Sequence, residues 1–286
     1  MINFFKAIGY LFLSHTDNRE YIDYHNSKNL SYQLEENQFI NREYMDEFYQ
    51  PMNNFSIHIN SINNSDILPD AKYRVDWREK NKVSSVKNQL HCGGCWAFSA
   101  VGAVESAWAI KHNQLYNLSE QELIDCSSKN NGCEGGSMDL AFIYISFNGL
   151  CTNMSYPYTA SDNMCVYSCD PVVKISNYSN VEQYNEKELM RAVTKQPVSV
   201  AIQANKRSFQ LYKSGVYSDP DCGTKLDHGV LLVGYGYDNL YDLEYWIVKN
   251  SWGETWGENG YIRLLRNVDN PAGQCGIAII PSYPVL

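Results

Sequence analysis

Gln89-Leu90-His91-Cys92-Gly93-Gly94-Cys95-Trp96-Ala97-Phe98-Ser99 is the stretch from which the fold can be read. Its last cysteine opens the run Trp96 to Ile110, which is apolar, rich in alanine and free of proline, and so reads as a buried helix. Cys95 then falls in the first turn, where unpaired backbone N–H groups favour an anion. That matters because the thiolate, not the thiol, is the nucleophile. An imidazolium beside it would lower the thiol further. His228 heads the run Gly229-Val230-Leu231-Leu232-Val233-Gly234-Tyr235-Gly236, which reads as a buried strand able to hold a ring rigidly. Asn250 ends a second strand-like run, Tyr245-Trp246-Ile247-Val248-Lys249, and its amide oxygen can accept the other imidazole N–H. Gln89 can donate its side-chain amide, with the backbone N–H of Cys95, to an oxyanion formed during acyl transfer.

Cys92-Gly93-Gly94-Cys95 by itself also suits a redox dithiol or half a zinc site. Neither alternative finds its other half. No second Cys or His pair stands at ligand spacing, and the surroundings are not a βαβ unit. His15, His25, His58, His91 and His112 stand in contexts that suit structural or surface roles.

The order Gln89, Cys95, His228, Asn250, followed by Trp252, resembles the papain and cathepsin L family of cysteine proteases. His228 lies 133 residues and Asn250 155 residues past Cys95, close to the family's spacing of about 130–150. The resemblance runs on through Val75-Asp76-Trp77-Arg78-Glu79-Lys80, Leu118 to Cys126, Gly132-Cys133-Glu134-Gly135-Gly136 and Ser282-Tyr283-Pro284. It implies an α+β fold with a helical left subdomain carrying Cys95, a β-barrel-like right subdomain carrying His228 and Asn250, and a cleft between them. It implies peptide-bond hydrolysis through a Cys95–His228 pair and an acyl-enzyme. Asn250 orients the ring, Trp252 shields it and Gln89 serves the oxyanion, with no cofactor and no metal. By the same resemblance Gly135 and Gly136 hold the substrate backbone. Met138, Ala201, Leu226, Gly229 and Ile280, with Asp227 beside them, line a pocket for an apolar residue second on the amino side of the cut.

Two residues depart from the family pattern. Leu90 stands where Gly follows the oxyanion Gln, and Gly94 where Ser precedes the nucleophile. An ångström of displacement of Gln89 would cost about a hundredfold in rate. A papain-fold binding protein without catalysis is the rival class, and intact Gln89, Cys95, His228 and Asn250 favour the enzyme.

Nine cysteines are an odd number, so a fully oxidised chain leaves one thiol free. The resemblance gives that role to Cys95 and implies the pairs Cys92–Cys133, Cys126–Cys165 and Cys222–Cys275. Cys151 and Cys169 remain and are paired by elimination. Disulfides fit an oxidising or acidic compartment, lysosome-like or secreted, and leave room for a viral particle or a parasite organelle. Sequons at Asn29, Asn54, Asn63, Asn117, Asn153 and Asn177 could carry glycans, although 29 asparagines make such triplets by chance.

A net charge of −9 on 286 residues argues against a nucleic-acid partner. No run approaches transmembrane length, and a monomer is expected. Composition changes near Leu68-Pro69-Asp70, after the Asn/Ser-rich stretch Asn60–Asp66. The expected division is a propeptide over 1–69 and a peptidase domain over 70–286, helical over about 70–180 and β-rich over about 181–286. Met1 to Leu13, apolar apart from Lys6, is a weak candidate signal segment. Asn18, Ile22 and His25-Asn26 resemble the closing half of the family's propeptide helix motif, at a spacing that lines one helical face. In its opening half Ala7, Leu11 and His15 replace Glu, Arg and Phe. Tyr32 to Asn41 resembles the segment that docks on the enzyme and leads into the cleft in the non-productive direction. Asn41 stands where the family has a titratable Asp, so acid is expected to be a weak trigger for its release. The propeptide is thus the one protein partner expected besides peptide substrates.

Overall fold

The structure, a computed structural model, describes residues 17–41, 74–166 and 169–286. The candidate signal segment, the departures at Ala7, Leu11 and His15, the boundary at 69/70 and the sequons at Asn54 and Asn63 lie outside the described residues.

The apolar run after Cys95 forms α2 (Cys95–His112), preceded by α1 (Asn18–Asn26) in the amino-terminal segment. A helix apolar on every side must be covered on every side, and α2 is. On one flank lie α3 (Glu120–Cys126) and α4 (Met138–Asn148). On the other lies the sheet, whose strands β4 (Val198–Ile202) and β6 (His228–Asp238) touch it directly. Ser99 Oγ donates to Val230 O at 2.7 Å, and Ser199 Oγ donates to Ser99 O at 3.0 Å. Gly102 permits this approach, since a Cβ there would come within 2.9 Å of Leu231. These contacts fix where Cys95 stands relative to the head of β6.

The remaining strands are β1 (Tyr32–Leu34), β2 (Val75–Asp76), β3 (Asn177–Asn180), β5 (Tyr212–Tyr217), β7 (Leu243–Lys249), β8 (Tyr261–Leu265) and β9 (Ser282–Val285). Among the described residues they join in the order β1-β5-β8-β7-β6-β4-β9-β3, with β2 against β6. β6 and β7 form a long antiparallel hairpin, while β5 and β8 pair in parallel. Two short helices, α5 (Glu186–Lys195) and α6 (Arg207–Gln210), pack on the sheet side. The architecture is α+β, with one apolar core beneath the helices and a second inside the curved sheet.

One acid interrupts the apolar α2. Glu105 is buried, and a buried charge persists only with partners. It accepts from Ser84 Oγ at 2.5 Å, Lys87 Nζ at 2.9 Å and the Leu118 N–H at 2.8 Å. Lys87 also reaches Glu120 Oε1 at 2.5 Å, and Lys249 Nζ donates to Ser84 O at 2.9 Å. Burial opposes the Lys87 charge, but Glu105 and Glu120 outweigh it and raise its pKa. Burial pulls Lys249 down to about 8, aided by Lys87 and opposed by Glu105 and Glu120. This cluster bolts the helical wall to the β wall directly behind Asn250.

The segment 17–41 lies on the β wall. Its β1 pairs antiparallel with β5, Tyr32 opposite Gly215. Gly215 has φ 97°, and a Cβ there would sit 2.3 Å from Ser31 O, so the approach needs glycine. Asn26 clamps Leu34 twice, Nδ2 to its oxygen and Oδ1 from its N–H, both at 2.9 Å. Asn18 Oδ1 accepts from Arg207 Nε at 2.6 Å, while Asn37 Nδ2 donates to Gln210 O at 2.8 Å. The segment ends over Trp252: Phe39 meets its ring edge-on at 4.8 Å, and Gln38 Nε2 donates to its carbonyl at 2.8 Å.

Candidate active site

Cys95 is the first residue of α2 and the one cysteine outside a disulfide. The other eight are joined as Cys92–Cys133, Cys126–Cys165, Cys151–Cys169 and Cys222–Cys275. The turn before the helix is closely packed. A Cβ on Gly93 would stand 2.3 Å from Cys133 O, and one on Gly94 would stand 2.9 Å from Ile124 Cδ1. The first contact is with backbone and requires glycine, whereas the second is with the end of the Ile124 side chain, which can turn aside, so nothing in the structure explains the departure at Gly94.

Across from this turn, His228 heads β6 and is buried. Its Nε2 lies 2.7 Å from Asn250 Oδ1, so the N–H points to the amide oxygen. The same oxygen accepts from the Ser251 N–H at 2.8 Å, which holds the amide in that orientation. Trp252 stacks on the imidazole, centroids 4.7 Å apart and planes 28° from parallel. Phe209 and Trp256 back Trp252 edge-on at 5.8 and 5.1 Å. The ring is therefore fixed by one hydrogen bond and a wall of aromatic groups. The backbones of Cys95 and of the head of β6 meet at Gly229, the residue after His228, where a Cβ would lie 3.2 Å from Cys95 O.

Burial opposes charge on both groups. Burial pushes the Cys95 thiol up to about 11, opposed by the N–H groups of Gly229 and Trp96 and aided by Asp227. Burial pulls His228 down to about 4, opposed by Asn250. Asp227 is itself pushed up to about 7 by burial, although its carboxylate accepts the Ala204 N–H at 2.6 Å. A proton passing from the Cys95 sulfur to the His228 ring would give each group the counter-charge that favours its ionised form.

Gln89 is buried beside them, its Oε1 accepting from Ser251 Oγ at 2.6 Å and its Nε2 donating to Cys92 O at 3.0 Å. Its backbone is tied as well: N–H to Ser251 O at 2.8 Å, and O from the Tyr158 hydroxyl at 2.6 Å. Leu90, at φ 55°, leaves this arrangement intact.

Met138 and Ala201 are buried in one apolar cluster, with Leu226 and Ile280 half-buried against it. Gly229 faces Met138 Sδ, and Asp227 and Gly229 flank His228. Gly135 and Gly136 are half-buried. A Cβ at Gly136 would strike the Trp96 ring at 2.7 Å, so its backbone stays bare. Glu122, Cys151 and Cys169 place ligand atoms within 4.8 Å of one another. The two sulfurs are bonded to each other, however, and Glu122 is engaged by the Cys151 N–H and the Tyr144 hydroxyl.

The sequence profile described as "Papain family cysteine protease" matches residues 71–285. The chain belongs to the papain family. Cysteine proteinase RD21A of Arabidopsis thaliana is 47% identical over 281 residues, covering 94% of this chain and 60% of that protein. Oryzain beta chain of Oryza sativa subsp. japonica is 53% identical over 222 residues, covering 76% of this chain and 46% of its own. The chain thus spans three-fifths or less of these curated relatives. Among solved papain-family structures, the proform of the ragweed pollen allergen Amb a 11 cysteine protease superposes with a TM-score of 0.85 at 39% identity, covering 94% of this chain and 86% of that one. A recombinant stem bromelain precursor gives 0.86 at 43%, covering 94% and 88%.

Sequence reading missed Ser251, Tyr158 and the Lys87–Glu105–Glu120 cluster. Ser251 carried a signal, since it lies between Asn250 and Trp252. Glu105 carried another as a lone acid in an apolar helix, while Tyr158 carried none.

Proposed function

We propose that this chain is a cysteine endopeptidase made with its amino-terminal segment as a built-in inhibitor. The observation that carries the reading is the free Cys95 at a helix start beside a His228 fixed by Asn250 and Trp252. Substrate displaces water from this cleft, and the thiol proton passes to His228. The sulfur then attacks the carbonyl carbon, forming a C–S bond while the carbonyl oxygen becomes an anion held by Gln89 Nε2–H and the Cys95 N–H. His228 protonates the leaving amine as the C–N bond breaks, which leaves a thioester. Water attacks the thioester with His228 as base, the C–S bond breaks, and a carboxylate product and the thiol are released. Asn250 stabilises the transient imidazolium and keeps the ring from turning.

Residues 1–69 form the propeptide and 70–286 the peptidase in this reading, active as a monomer in an oxidising or acidic compartment. Docking of 17–41 over Trp252 supports inhibition. Met138, Ala201, Leu226, Gly229 and Ile280 offer no charge, so a charged side chain entering there loses hydration without gaining a partner. That favours an apolar residue second on the amino side of the cut. Gly136 supplies bare backbone for strand-like pairing with the substrate. A peptide library read before and after removal of the amino-terminal segment tests both points. Turnover gained on removal, with apolar selection at that position, is the expected result. A preference for Arg there would overturn the pocket.

A further inference from the structure

We propose that Leu90 is a specificity residue, an apolar ledge that meets the substrate on the carboxyl side of the cut. The inference rests on the endopeptidase reading above. Leu90 is 60% exposed and has φ 55°, a left-handed conformation that glycine holds without cost and a leucine does not. Among the described residues the other non-glycine positions of this kind are five asparagines, Asp242, Ala160, Cys275 and Tyr184, so Leu90 is the one aliphatic side chain larger than alanine held this way. An exposed leucine held this way adds nothing to the core, and strained backbone of this kind gathers at functional sites.

The turn that carries Leu90 is rigid. Its own N–H donates to Asn88 Oδ1 at 2.9 Å, and Gln89 on its other side is tied to Ser251 and Tyr158. The backbone that presents the apolar side chain is therefore ordered before binding. The turn also belongs to the leaving-group wall. Asn88 pairs with Trp252, the roof over the ring that protonates the leaving amine, and Gly253 packs against the Asn88 side chain. The amino-side residues Gly136 and Met138 lie elsewhere, against Trp96 and Gly229. A peptide crossing Cys95 thus passes Leu90 with the first residues after the cut. An apolar side chain there leaves water together with Leu90, whereas a charged one is desolvated without a partner.

The test uses the whole chain, expressed and allowed to process, with quenched-fluorescence peptides varied at the first and second residues after the cut. Wild type should prefer Leu, Met or Phe over Asp or Lys at one of these by about tenfold, the low end for a matching apolar contact. Leu90→Gly, which suits φ 55°, should level that preference to about twofold, while Leu90→Met should keep it. An aminocoumarin amide, with no peptide beyond the cut, reports the catalytic centre separately. If wild type cleaves it but shows no apolar preference after the cut, or if Leu90→Gly retains that preference, the inference is overturned. If wild type cleaves neither substrate type, the endopeptidase reading has failed and this inference with it.

Discussion

The two walls of the cleft are held together in different ways. The wall that carries Cys95 has three of the four disulfides, Cys92–Cys133, Cys126–Cys165 and Cys151–Cys169. Between its helices the chain runs in loops with few ladder bonds, and covalent links restrict what the unfolded chain could otherwise explore. The wall that carries His228 has one, Cys222–Cys275, and relies on the β4–β6–β7–β8 ladder and the Phe209–Trp252–Trp256 stack. A nucleophile needs only a helix start in a fixed place. A ring that exchanges protons needs its plane fixed as well, and aromatic packing supplies that.

The largest effect should come from disabling either wall's reacting group. Cys95→Ser and His228→Ala should each lower kcat/KM for a peptide by about 10⁴-fold or more, because the groups act as a unit. Melting temperatures should stay near wild type, and appreciable turnover in either variant would break the division of labour between the walls.

The seam comes next. Lys87→Met removes the cation that compensates Glu105 and Glu120, and stranding buried charge costs about 3–5 kcal/mol. Denaturant unfolding should show a loss of that size, and a loss under 1 kcal/mol would mean the walls do not depend on the cluster.

The disulfides sharpen the comparison further. Their loops span 39 residues for Cys126–Cys165 and 53 for Cys222–Cys275, so removing either pair should cost a similar 2–4 kcal/mol globally. Local behaviour should differ. Amide exchange should quicken around residues 120–137 in Cys126→Ala/Cys165→Ala, while β4 and β6 stay protected in Cys222→Ala/Cys275→Ala. Equal loosening on both walls would refute the contrast.

The smallest effect concerns the segment docked on the β wall. His25 is buried, its Nε2 3.2 Å from Tyr32 O and its ring 4.4 Å from that of Tyr32. Burial lowers its pKa, opposed by the Tyr32 carbonyl and Asp219 and reinforced by Lys28. Tyr21 lies on the His25 ring at 6.3 Å, and Tyr217 packs against Tyr32. With the docked pKa below the free value, the neutral ring contributes to docking above about pH 6.5, and this is lost as pH falls below it. Separately produced residues 1–69 should bind the mature enzyme more weakly on acidification, by no more than about tenfold per pH unit for one proton. His25→Gln should flatten that dependence, and an unchanged slope would acquit His25.

Much of this protein was legible in its sequence because the decisive signals are local. The apolar run after Cys95, the strand-like runs at His228 and before Asn250, and the four-residue spacing of Asn18, Ile22 and Asn26 each follow from one helical or extended period. Family resemblance supplied the long-range order that periodicity cannot. What the tertiary structure alone decided are contacts between residues far apart in the chain. The Tyr158 hydroxyl reaches Gln89, Ser84 joins Glu105 to Lys249, and the Cys133 carbonyl fills the space that makes Gly93 necessary. Leu90 shows the limit most plainly. Its departure from glycine is visible in the sequence, but whether Gln89 moves depends on the Asn88, Ser251 and Tyr158 hydrogen bonds that hold the turn. Period and propensity act over a few residues, whereas those bonds exist only once α2 and the sheet have packed and brought distant loops within about 3 Å of one another.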